Sequence, residues 1–142
     1  MIHILDHQHD QIIDTLQNKA NAQPFFDDTH TATIKNEEHF HFSTPYDGSG
    51  HLTARNRIVI PDEDGHYREF IIDETVKAGS EKEVYTRASF RELKKQKVIT
   101  PRTLDGQTVD TALDFTLDGT EWKRGITEFG GIRSLTIEQH TN

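Results

Sequence analysis

The chain contains no cysteine. That one absence removes disulfides, thiolate nucleophiles and cysteine-based metal centres. Long apolar runs are missing too, and none nears the roughly 20 residues that a membrane-crossing helix needs. The opening Met-Ile-His-Ile-Leu-Asp has no basic stretch ahead of an apolar one, so no secretory signal is expected. Basic charge is in the minority: 16 Lys and Arg against 24 Asp and Glu leave a formal net charge of −8. Sequence-independent nucleic-acid binding needs cations to replace counterions, and this balance argues against it. The one basic run, Arg91, Lys94, Lys95 and Lys97, reads as the solvated face of a short helix. Gly-x-Ser-x-Gly and His-Glu-x-x-His are both absent. Gly125 and Gly130-Gly131 lack the spacing and the lysine of a phosphate loop. The sequence therefore nominates no catalytic residue and no cofactor.

What is present fits one β-rich domain with an appendage. A length of 142 residues suffices for a real core. Only 32% of residues are hydrophobic and the mean hydropathy is −0.75, so much surface is solvated or is completed by other chains. The clearest signal is Asn56–Glu74. Ile58, Ile60, Phe70 and Ile72 alternate with other residues around a polar turn, Asp62–Gly65, as a hairpin with one buried face requires. Pro61 ends the first strand because it has no amide to donate. Ile2–Leu5 and Gln11–Leu16 read as short strands, with a helix over Gln11–Lys19 as the competing reading of the second. Asn18–Asp28 reads as a polar loop. Thr31–Lys35 and His39–Thr44 form another hairpin candidate, and Glu83–Ala88 a further strand. Ser89 with Glu92 has capping-box spacing, which predicts a helix over Phe90–Lys97. Thr108 caps a second helix to about Leu117, ended by Asp118-Gly119. Trp122–Ile126 and Ile132–Glu138 read as closing strands. The expected class is α+β, mainly β: a β-barrel or sandwich over 1–89, with two short helices and two strands over 90–142.

Nine histidines invite a search for metal ligands. His39-x-His41 is the sharpest case, because residues two apart on a strand share a face and imidazole suits Fe, Ni or Zn. In a threefold assembly, three such pairs would supply six nitrogens. The competing reading makes both solvent-facing partners of Phe40 and Phe42. No third ligand follows by spacing, so His39 and His41 remain candidates without a site. Asp62-Glu63-Asp64 begins like a calcium loop, but position 73, where such a loop needs Glu, is Asp73 inside a predicted strand. Three aromatics in predicted loops, Phe25, Phe26 and Tyr46, suit a subunit interface, and the competing reading tucks each into its own domain's core.

Several runs share a resemblance: Met1–Asp6, Ile58-Val-Ile-Pro-Asp-Glu-Asp-Gly-His-Tyr-Arg-Glu-Phe-Ile-Ile72 and Lys82-Glu-Val-Tyr-Thr-Arg-Ala-Ser89. Thr103-Leu-Asp-Gly-Gln-Thr108, Ala112-Leu-Asp114 and Asp118-Gly-Thr-Glu-Trp122 belong with them. In order and spacing they resemble the N-terminal, baseplate-hub-like region of phage minor structural proteins, the prophage endopeptidase tail or tail-associated lysin family. The resemblance covers essentially the whole chain. It implies a tail-tube-like barrel that trimerises at the virion tail tip, below the distal tail protein ring. It also implies the tape measure protein as a partner, and DNA passing through the lumen without specific binding. Membrane insertion by this chain is not implied. Such a protein is made in the bacterial host cytoplasm. Family members continue past the equivalent of Asn142, and any lytic activity belongs to those later regions. Two other functions stay open. A peptidoglycan-degrading endopeptidase would use His39 and His41 as ligands. A host-surface binding module would show a row of exposed aromatics, whereas the eight Phe, three Tyr and one Trp are scattered.

Overall fold

The computed structural model describes residues 1–33, 37–96, 99, 102–125 and 132–137. They fall into two compact units, Met1–Ser89 and Phe90–Asn142. No helix among the described residues is long and apolar enough to cross a membrane.

The first unit is one antiparallel sheet of seven strands: β1 (Ile2–Leu5), β2 (Ile12–Leu16), β3 (Phe26–Ala32), β4 (Glu38–Pro45), β5 (Arg57–Pro61), β6 (Tyr67–Ala78) and β7 (Glu81–Ala88). Their spatial order is β2-β1-β5-β6-β7-β4-β3. The alternation in the β5–β6 hairpin is realised as expected. Ile58 lies opposite Phe70, and Ile58, Ile60, Phe70 and Ile72 are all buried. Phe40, Phe42, Val84, Ile2, Ile4 and Leu16 join them on the same face. A single sheet can bury one face only by curling or by being covered. This one curls. Ile2 on β1 and Phe40 on β4 border one groove although three strands separate theirs in the sheet. Leu52, from the loop between β4 and β5, is also fully buried in the core.

The sheet does not close, so the expected barrel is not formed, and among the described residues the unit Met1–Ser89 holds this one sheet where a sandwich needs two. The end of β2 and the loop leading into β3 meet at one parallel bridge, Leu16 to Gln23, where the Gln17 amide donates to the Gln23 carbonyl at 2.9 Å. Pro24 follows and has no amide with which to extend that ladder. Gln23 instead spends its side-chain amide on Thr44 Oγ1 and the carbonyls of Pro45 and Asp47, at 2.9–3.0 Å. The helical alternative for Gln11–Lys19 is excluded, since Ile12–Leu16 pairs with β1. β3 starts at Phe26, inside the expected loop, and ends at Ala32. Lys35 and Asn36 lie outside the described residues.

The second unit departs further from expectation. Among the described residues, only Val109–Leu117 is a helix of ordinary length. Ser89–Glu92 forms a 3-10 turn and Leu93–Gln96 a single α turn, with Lys97 outside the described residues. Ser89 is buried and belongs to the 3-10 turn itself, so it does not serve as a cap before a longer helix. So short a run cannot repay helix nucleation without an apolar face to bury. Arg102–Thr108 is a strand, β8, which pairs antiparallel with β9 (Ile132–Ile137). Trp122–Gly125 is irregular, not the start of a strand, and Ile126 and Glu138 lie outside the described residues.

Candidate functional site

His39 and His41 do share the face of β4 opposite the core, but their ring nitrogens do not converge. His39 Nε2 lies 2.7 Å from Glu37 Oε2, and its Nδ1 lies 3.3 Å from the Thr86 carbonyl. His41 stacks on Tyr85 of the neighbouring strand, with ring centroids 4.5 Å apart. His39 is thus held through both ring nitrogens, whereas His41 Nε2 is buried without a hydrogen-bond partner among the described residues. The three aromatics nominated for an interface are also dispersed. Phe25 is half-buried and stands edge-on to Phe42, at 6.5 Å. Phe26 is half-buried at the head of β3, opposite Ser43. Tyr46 is exposed and carries Lys77 Nζ over its ring at 4.3 Å, with Lys82 Nζ at 5.3 Å. Lys82 also donates to the carbonyls of Ser49 and Leu52, and burial lowers its pKa.

Asp62, Asp64 and His66 bring three oxygen or nitrogen atoms within 4.8 Å of one another. Local turn chemistry explains them. Asp62 Oδ1 accepts from the amides of Asp64 and His66 at 3.0 and 2.9 Å, and Arg68 Nε donates to Oδ2 at 3.1 Å. Burial pushes the Asp62 carboxyl up, but the His66 amide, Arg68 and the Asp64 amide outweigh it and hold the pKa below 3.8. Gly65, at φ +80°, supplies the left-handed residue that closes this turn.

Arg68 links the turn to a line of charges. Its Nη1 lies 3.1 Å from Glu38 Oε1, and the same oxygen is 2.8 Å from His30 Nε2. Glu38 is buried, and burying a carboxylate is tolerable because two partners meet it. His30 also stands edge-on to Phe70, at 5.6 Å between centroids, which brings β3 over the concave face. Beside this line runs a groove of about 230 Å³. Its floor is apolar: Ile2, Phe25, Phe40 and Ile60. Its rim carries Asp28, Asp62 and Glu63; His30 and Met1 line it too, and among the described residues no Lys or Arg does.

Nothing in the sequence joined Asp28 to Glu63. They lie far apart in the chain and meet only because the sheet curls. A bulge contributes locally, for the β3–β4 register shifts between Phe26 and Thr29. Asp27 there takes φ +51°, a conformation that Asp tolerates better than most residues. Comparison with protein-family models, curated proteins and solved structures returned no match.

Proposed function

We propose that this chain is a structural component of a phage or prophage tail tip, of baseplate-hub type, that trimerises below the distal tail protein ring. The observation that carries this reading is the open sheet: β2 and β3 each have one side without a continuous ladder. Exposed strand edges invite pairing with another chain, and a tube component uses them for assembly. The run-by-run resemblance across the sequence supplies the particular identity. The net charge of −8 suits a wall past which DNA slides without sticking. No residue is assigned a catalytic role. A metal-dependent cell-wall hydrolase built on His39 and His41 is disfavoured, because His39 is engaged by Glu37 and the Thr86 carbonyl and no third ligand joins the pair among the described residues.

Sedimentation equilibrium of the purified chain tests the proposal. A mass three times the 16.3 kDa protomer, with co-purification of the distal tail protein and the tape measure protein, is the expected result. A strict monomer at every concentration, which none of these proteins binds, would overturn it.

A further inference from the structure

The groove between β3, β1 and β5 has a chemistry that assembly through strand edges does not use. We infer that it receives a lysine side chain presented by a partner protein. The inference shares the open edge of β3 with the tail-tip reading but does not depend on that reading.

Size comes first. At about 230 Å³ the groove is smaller than the roughly 300–1,000 Å³ of drug-sized ligand sites, and it suits one long side chain. Polarity comes next. Ile2, Phe40 and Ile60 are buried and Phe25 is half-buried, so the floor offers hydrocarbon. Lysine is the side chain that lays an apolar stem along such a surface and keeps its ammonium at the edge. Charge decides the sign. Three carboxylates rim the groove, and Asp62 is already satisfied by two amides and Arg68. The side chains of Asp28 and Glu63 are exposed and have no hydrogen-bond or ion-pair partner among the described residues. Of the cationic groups around the groove, His30 and Arg68 are turned to Glu38, and the ammonium of Met1, which also lines it, makes no ion pair with either carboxylate among the described residues. An ammonium has three donors and no fixed fork, which matches two separately mounted carboxylates better than a guanidinium would. A polypeptide is favoured over a free amine because β3, which borders the groove, is an edge strand with one hydrogen-bonding side open.

The test is an NMR titration of the isotope-labelled chain with three probes: a blocked peptide with a central lysine, its norleucine twin, and n-butylammonium. The lysine peptide should shift the resonances of Ile2, Phe25, Phe40 and Ile60. It should bind about ten-fold more tightly than the norleucine peptide, which corresponds to ~1.4 kcal/mol. The Asp28→Asn/Glu63→Gln double variant should lose that preference. Both sites are exposed, and the variant's own spectrum reports its fold. Equal binding of the lysine and norleucine peptides, shifts mapping elsewhere, or an unchanged preference in the variant would each overturn the inference. Binding of n-butylammonium as tight as that of the peptide would overturn the assignment of a protein partner.

Discussion

In the first unit, every strand except β3 sends at least one side chain into a buried core. In the second unit, no described side chain is buried, not even on the apolar stripe of the helix Val109–Leu117. Val109 and Ala112 are half-buried, and Leu113 is 36% exposed. The difference teaches what specifies each unit. Period-two alternation, converted into burial, specifies the sheet. Local chemistry specifies the helix: Thr108 Oγ1 accepts the Thr111 amide at 3.2 Å, Gly119 takes φ +80° just past the C-cap, and Arg124 reaches back to Asp110 and Asp114 at 3.3 and 2.9 Å. Caps and exposed pairs are each worth far less than a buried aromatic ring.

The largest effect should therefore come from the core. Phe42 is fully buried and touches both Phe25 and Phe40. Phe42→Ala removes that ring and leaves a cavity, at an expected loss of about 3–5 kcal/mol. Leu113→Ala, at a site more than a third exposed, should cost well under half as much. Urea denaturation of both variants, followed by circular dichroism, checks the contrast. Equal losses would show that the second unit has a core of its own that the burial pattern misses.

The next effect is smaller and local. Thr108→Ala deletes the acceptor for the Thr111 amide, and such caps are worth about 0.5–2 kcal/mol. Amide exchange over Asp110–Leu117 should accelerate accordingly, and Thr108→Ser should restore most of the protection. If exchange in that segment stays unchanged, the helix is held by tertiary contacts and the contrast between the units fails.

How legible this was follows the same division. Ile58, Ile60, Phe70 and Ile72 announced their strands because alternation in sequence became burial in space. The Thr108 cap and the Asp118-Gly119 stop were readable because each is a local event. β8 was not readable. Asp105-Gly106 looks like a turn, and Gly106 does take φ +63°, but it sits in a register shift inside a strand whose partner, β9, comes much later in the chain. Closure failed to be legible for a similar reason. Among the described residues, the only bridge between the two edges, Leu16 to Gln23, precedes β3 and is followed by Pro24, which has no amide, and no hydrophobic pattern marks either feature. The groove carboxylates were least legible. Asp27-Asp28 and Asp62-Glu63-Asp64 each read as solvated turns, and only the curl of the sheet brings Asp28 and Glu63 to one rim.

The smallest expected effect sharpens the comparison from the electrostatic side, at the turn that closes the best-read hairpin. Asp62 has its carboxyl pKa held below 3.8 in the folded chain, against burial, by the His66 amide, Arg68 and the Asp64 amide. A depressed folded-state pKa gives stability that is present above the unfolded value and is lost as pH falls through the folded one. Asp62→Asn keeps an oxygen for the two amides but neither titrates nor pairs fully with Arg68. The variant should therefore be less stable than the parent at about pH 6, and the gap should narrow as pH drops below the unfolded value of ~3.8. Urea midpoints measured across that range decide the matter. A gap that stays constant down the acid limb would mean that the Asp62 carboxylate is no more stable in the folded hairpin than in the unfolded chain. The turn would then be held by its backbone geometry and by Gly65 alone, by the same kind of local chemistry that specifies the helix of the second unit.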